Sequence, residues 1–281
     1  MKIPMTRVRL GLARLLYSLI HTILRQDVLV IRRKGVSYEV DLTEGIDLSL
    51  YVFGNFQDHV TRNKYFSLPA DAVIIDVGAN IGSMTFRFAE MAPKGHVYAF
   101  EPTDYAYTKL LKNIFLNPQF ASRITPVQLF LADQSRRKHE MKAYASWKVD
   151  GSTIDTHPLH GGTIKPANSV PAVTLDHFCL ENGIRRVDLI KIDTDGHEYK
   201  VLKGARKTIK NCLPYVVFEL GGYVLNEQQL NFKQLHDYFA NLRYSLRNSK
   251  NGKKITVQNF TQQIPLKTTT DVIAIPPKSL R

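Results

Sequence analysis

Seven residues, Asp76-Val77-Gly78-Ala79-Asn80-Ile81-Gly82, have the types and spacing of a ligand-binding turn. They follow a short apolar run of the kind a parallel sheet buries on both faces, and they precede Met84, Phe88 and Met91 at helical spacing. Gly78 would let a ligand approach the backbone, and Gly82 would let the helix begin close to the sheet. A helix start also offers free N–H groups and a positive dipole end to an anionic group. One strand later, Glu101 ends the apolar run 96–100, where a carboxylate can accept both hydroxyls of a ribose. These parts describe a nucleoside pocket.

The dinucleotide fingerprint has glycine where this chain has Asn80. That middle glycine clears space for a pyrophosphate, so NAD and FAD are disfavoured. S-adenosylmethionine carries no phosphate and suits the spacing better.

A second constellation runs from Asp188 through Leu189-Ile190-Lys191-Ile192-Asp193 to Thr194-Asp195-Gly196-His197-Glu198. Asp193 is expected to end a strand at the same sheet edge as Asp76 and Glu101. Lys191 interrupts an apolar strand, on the face of Leu189 and Asp193. A buried ammonium needs a carboxylate partner, and Glu219, ending the following strand, is the candidate. Lys191 is then either a structural ion pair or a substrate-orienting group. Asp193, Asp195 and Glu198 could hold a hard divalent cation. Capping and first-turn charge of the helix near His197 explain Asp195 and Glu198 without a metal, and that reading is preferred.

The elements that must position these groups alternate as in an open α/β sheet. Strands are expected at 73–77, 96–100, 124–131, 187–192, 215–220, 244–247 and 271–275, with helices at 84–91, 107–114, 175–181, 199–209 and 226–240. A hairpin at 28–40 and an aromatic-rich, partly helical stretch precede them. Residues 134–172 are polar and read as a hairpin and loops covering the acceptor. The organisation is therefore an arm (1–35), a lead-in (36–70) and one catalytic domain (71–281).

With these blocks in place the chain resembles the FkbM family of S-adenosylmethionine-dependent methyltransferases, across roughly residues 36–275. The resemblance rests on Asp76–Gly82, Phe100-Glu101-Pro102, Leu131-Ala132-Asp133, Val173-Thr174-Leu175-Asp176, the Asp188–Asp193 block, Gly196 with Glu198, Val201-Leu202-Lys203-Gly204-Ala205, and Pro214 with Glu219. The family usually has Glu where this chain has Asp195. The resemblance implies a Rossmann-like, class I methyltransferase fold: a seven-stranded, mostly parallel sheet with a reversed last strand and helices on both faces. It also implies O-methylation of a sugar, glycan or complex natural product. Asp76, Gly78, Asn80 and Gly82 would line the methionine end, with Ala79, Phe100 and Pro102 in the cofactor set. Glu101 would hold the ribose and Asp133 would lie near the adenine amine. Asp193 is expected to act as base or to orient the hydroxyl, with His197 as alternate and Lys191 beside it; Asp195 and Glu219 face the substrate.

Composition limits the partners. The net charge is +13, yet residues 1–35 hold eight basic residues and one acid, Asp27, so the arm carries more than half of it. Val8, Leu12, Leu15, Leu16, Leu19 and Ile23 share one helical face of that arm, too short an apolar stretch to span a bilayer. It is expected either to pack on its own domain or to lie on an anionic membrane through residues 1–25. The cysteines, Cys179 and Cys212, make no disulfide framework, and no cleavable leader is evident, so a cytoplasmic protein is expected. Nucleic acid is disfavoured as a substrate, because neither an Asn/Asp-Pro-Pro-Tyr-like motif nor an added binding domain is present. A non-catalytic module is disfavoured because Asp76, Gly78 and Glu101 are all present.

Overall fold

The structure is a computed structural model and describes residues 5–54, 57–135, 142–145, 148–150, 163–166, 170–266 and 268–277. Helix α1 (Met5–Leu24) leads into an antiparallel hairpin of β1 (Val28–Arg33) and β2 (Val36–Asp41). Lys34 and Gly35 turn it with left-handed φ values of 48° and 85°, matching the strand twist. The expected boundary at residue 35 therefore falls inside one hairpin. Helices α2 (Gly45–Phe53) and α3 (Asp58–Thr61) complete the lead-in.

Alternation begins with β3 (Val73–Val77), α4 (Ser83–Met91), β4 (His96–Phe100), α5 (Asp104–Phe115), α6 (Pro118–Ala121), β5 (Ile124–Val127) and β6 (Phe130–Leu131). After β7 (Lys142–Ala145), β8 (Thr163–Pro166) and β9 (Ala172–Val173) come α7 (Leu175–Glu181), β10 (Leu189–Ile192), α8 (Glu198–Gly204), α9 (Arg206–Cys212) and β11 (Tyr215–Gly221). The chain closes with α10 (Gly222–Glu227), α11 (Phe232–Asn241), β12 (Ser245–Asn248), α12 (Phe260–Gln263) and β13 (Thr269–Ile275).

Seven strands form one sheet in the order β12-β13-β11-β10-β3-β4-β5. The last strand, β13, runs antiparallel between β11 and β12; β11, β10, β3, β4 and β5 are parallel. Winding reverses between β3 and β10, the switch point where open α/β sheets bind ligands. Both sheet faces are covered. Ile74, Leu189, Val217 and Ile273 pack with the hairpin, α2, α4 and α5. Ile75, Ile190, Val216 and Phe218 pack on the other side with α7, α8, α9 and α11.

Three expected elements are divided. The strand expected at 124–131 leaves the sheet after Val127, because its partner β4 ends at Phe100; Phe130 and Leu131 pair instead with Ala172 and Val173. The helix expected at 199–209 breaks at Ala205, where α8 presses on the end of β6: a side chain on Gly204 would lie 2.0 Å from the Ala132 carbonyl. The helix expected at 226–240 is two, because Asn231 and Gln234 form a reciprocal capping box that starts α11 afresh.

The hairpin is fastened to the domain by two buried amides, Asn113 of α5 and Asn117 at the start of α6. Asn113 Nδ2 donates to the Ile81 carbonyl at 2.9 Å, and its Oδ1 accepts from Glu39 N. Asn117 makes a matching pair with Ser37. Asn113→Ala strands a carbonyl beside the ligand-binding turn and an N–H on β2. It is expected to cost about 2–4 kcal/mol, read as a lower urea midpoint at constant slope.

Candidate active site

Extending the paired registers by one residue aligns Glu101, Gly78, Asp193, Glu219 and Asp271 in a row across β4, β3, β10, β11 and β13. Two residues earlier, on the same face, the row reads Ala99, Asp76, Lys191, Val217 and Ile273. The sheet thus gathers four carboxylates along its carboxyl edge, above one buried cation.

That cation is Lys191, and its partner is Asp76 rather than the expected Glu219. Lys191 and Asp76 are direct register partners, whereas Glu219 sits two residues further along β11. Lys191 Nζ lies 3.3 Å from Asp76 Oδ1 and 3.7 Å from Asp193 Oδ2, and donates to the Gly78 carbonyl at 3.0 Å. Burial disfavours its charge, but the Asp76 and Asp193 charges prevail and raise its pKa. Asp76 is completely buried and also accepts from Thr85 Oγ1 at 2.6 Å. Its carboxylate is therefore closed off from solvent between Lys191 and Thr85.

The turn is shaped by the protein's own contacts. Gly78, Asn80 and Gly82 have φ values of 76°, 50° and 93°. A Cβ on Gly78 would fall 1.8 Å from the Asp193 carbonyl oxygen, so the neighbouring main chain by itself requires glycine there. Gly82 is pressed by Leu110 and Phe86 rather than by the sheet. The Phe100 carbonyl accepts from Gly78 N and Ala79 N, Glu101 accepts from Asn80 N, Asn80 Oδ1 from Ile81 N, and the Ala79 carbonyl from Gly82 N. All five amides of the turn are thereby satisfied internally, and a pyrophosphate would find no donors there.

Glu101 is 5% exposed, and burial raises its pKa. Besides Asn80 N it accepts from Thr103 N and Thr103 Oγ1. Three of roughly four acceptor sites are filled. One ribose hydroxyl can be added directly, and the second requires the Thr103 hydroxyl to turn away. Pro102 is half-buried beside it. Asp133 is half-buried and paired with Lys203 at 2.6 Å, which lowers its pKa.

Asp193 lies just past β10, anchored by its N–H to the Val77 carbonyl. Its carboxylate also accepts from Gln57 Nε2 at 2.9 Å. Gln57 precedes α3 with a left-handed φ of 52°, and its buried Oε1 has no hydrogen-bond partner among the described residues. Two residues on, His59 Nε2 meets Asp271 Oδ2 at 2.5 Å. Neither Gln57 nor His59 was marked by the sequence, because a short helix outside the alternating region carries no motif. His197 is the N-cap residue of α8, with its ring edge-on to Phe130.

Glu198 accepts from Thr194 N, Thr194 Oγ1 and Gly196 N, so it closes the loop between β10 and α8. Asp195 is not the expected cap: His197 occupies the N-cap position, and Asp195 takes a left-handed φ of 50°. Among the described residues no three His, Cys, Asp or Glu side chains are grouped to hold a metal. Burial first and the Asp193 charge second push both Asp195 and Glu219 well above the ordinary carboxylate range. The acceptor cover expected at 134–172 lies mostly outside the described residues; within it Lys148 pairs with Glu44 of the lead-in at 3.1 Å.

The sheet order, the reversed β13 and the glycine turn at the switch point define a class I methyltransferase fold. A family model described as the methyltransferase FkbM domain matches residues 76–246. The chain belongs to the FkbM family of S-adenosylmethionine-dependent methyltransferases. Among curated proteins it is 28% identical over 181 residues to the 2-O-methyltransferase NoeI of Sinorhizobium fredii, covering 59% of this chain and 70% of that one. It is 25% identical over 218 residues to the methyltransferase sdnD of Sordaria araneosa (66% and 83% covered). It is 23% identical over 150 residues to the hexuronic acid methyltransferase AglP of Haloferax volcanii (53% and 56%). A crystal structure of an FkbM methyltransferase from Methylobacillus flagellatus overlaps 80% of this chain and 49% of its own, at 17% identity and TM-score 0.47.

Two stability measurements check the site. Lys191→Met leaves the Asp76 carboxylate buried without its cation and is expected to cost about 3–5 kcal/mol in denaturant unfolding. Adding Asp76→Asn should recover most of that loss. The raised pKa of Glu219 means that the folded chain holds this proton more tightly than the unfolded chain. The resulting stability is complete below the ordinary value of 4.5 and is lost as pH rises through the folded value. Glu219→Gln should therefore flatten the fall in thermal midpoint above pH 4.5.

Proposed function

We propose that this methyltransferase uses S-adenosylmethionine to methylate a hydroxyl of a sugar or glycan, with Asp193 accepting the hydroxyl proton. The observation that carries this reading is the Asp193 carboxylate, held by Gln57 and Lys191 directly beside the Gly78 turn. The donor set suits the cofactor: the turn spends its amides internally, as a ligand without phosphate requires, and Glu101 retains room for a ribose hydroxyl. Gly78 to Gly82 would hold the methionine end, Glu101 the ribose and Asp133 the adenine side.

When bound, S-adenosylmethionine supplies an electrophilic methyl group on sulfur. The protein aligns the acceptor oxygen, removes its proton and keeps water out. Lys191, 3.7 Å from Asp193 Oδ2, fixes the orientation of that carboxylate, so it is a positioning residue. The Gln57 carbonyl oxygen, buried and without a partner among the described residues, offers a further acceptor for a donor on the ligand. His59, paired with Asp271 on the same sheet edge, joins His197 as an alternate base. The names of two relatives, the 2-O-methyltransferase NoeI and the hexuronic acid methyltransferase AglP, support oxygen as the atom and a sugar as the acceptor class.

Asp193→Asn is expected to bind S-adenosylhomocysteine within about threefold of the parent by calorimetry. Transfer of labelled methyl to a panel of uronic acids and neutral glycans should fall about 10²–10⁴-fold. Unchanged transfer by Asp193→Asn with loss in His59→Gln would move the base to the His59–Asp271 pair. No binding of either S-adenosyl compound would sink the cofactor reading itself.

A further inference from the structure

Helix α1 carries an apolar sector wider than its own domain covers. Ala13, Tyr17, Ile20 and Leu24 pack on the core, and Tyr17 donates to Asp27 at 2.9 Å. At 100° per residue the adjoining face holds Leu12, Leu15, Leu19 and Ile23. That face, expected from the sequence either to pack on the domain or to lie on a membrane, is open: its residues are 58%, 58%, 57% and 79% exposed. Single exposed leucines are ordinary, whereas four in one stripe mark an interaction surface.

The charge around the stripe says what covers it. Arg14 and Arg25 are exposed on its open flank, with Ser18 and Thr22 between them. The acid of the segment, Asp27, is turned toward Tyr17 and His21 Nδ1 (2.8 Å) and makes no ion pair with Arg14 or Arg25 among the described residues. On β1, Val28, Val30 and Arg32 also face outward, repeating the combination of apolar and basic groups. Pairing with a second copy would bring two strongly basic arms together, which like-charge repulsion opposes. No described helix is long and apolar enough to cross a membrane. An apolar stripe edged by arginines instead suits the boundary between acyl chains and anionic headgroups.

We propose that α1 lies in the plane of an anionic lipid surface, with Leu12, Leu15, Leu19 and Ile23 in the acyl boundary and Arg14 and Arg25 on the headgroups. This docking site is independent of the cofactor and acceptor assignments.

Co-sedimentation of the full chain with vesicles tests it. Binding is expected to phosphatidylcholine vesicles containing phosphatidylglycerol, and at least about tenfold less to phosphatidylcholine alone. Leu15→Glu/Leu19→Glu should lower binding to the anionic vesicles about tenfold or more, and Arg14→Glu/Arg25→Glu should do the same. Both variants should keep the parent's thermal midpoint, because the altered side chains are exposed; a lowered midpoint would show that these faces are packed, and would overturn the proposal. So would absence of binding, or equal binding by the parent and the leucine variant. A dimer in light scattering that Leu15→Glu/Leu19→Glu dissociates would assign the face to a second copy instead.

Discussion

Burying the ammonium of Lys191 at the switch point of the sheet constrains everything around it. A cation removed from water must be surrounded by negative charge and carbonyl oxygen. Asp76 supplies the charge from the adjacent strand, and the Gly78 carbonyl and Asp193 supply the rest. Turning the Gly78 carbonyl inward demands a left-handed backbone, and the close approach of Asp193 forbids a side chain there. One electrostatic requirement thus couples β3, β10 and the turn between β3 and α4. It also brings the proposed base to the place where a methyl donor would lie.

The carboxylates along this edge differ in surroundings and so in role. Glu198 spends its oxygens on Thr194 and Gly196, and Glu101 is largely engaged by Asn80 and Thr103. Asp195 and Glu219 are pushed toward the neutral form by burial and by Asp193. Asp193 alone of the group faces both Lys191 and Gln57. Environments that separate like groups are how one site assigns different tasks to chemically similar residues. The FkbM match spans residues 76–246, yet Gln57, His59 and Asp271 lie outside it. The surroundings of Asp193 are therefore built partly from segments outside the matched region.

Local pattern alone determined the strand–turn–helix at 73–91, the acid after β4 and the strand carrying Lys191 and Asp193. Each depends on periodicity or spacing within about a dozen residues, which the chain encodes directly. The same pattern placed β4 and α7 at their observed bounds, and the family resemblance rests on these short blocks.

Only the tertiary structure decided which groups meet. Asp76 rather than Glu219 neutralises Lys191 because strand register, not order along the chain, sets which side chains are neighbours. Gln57 and His59 join the site from an unremarkable helix because the lead-in folds over the edge of the sheet. The outward leucine stripe of α1 was indistinguishable by period from the inward one; the area the core could cover chose between them. Periodicity is written residue by residue, whereas partners across strands and the side of a helix that stays dry are fixed by the packing of the whole chain.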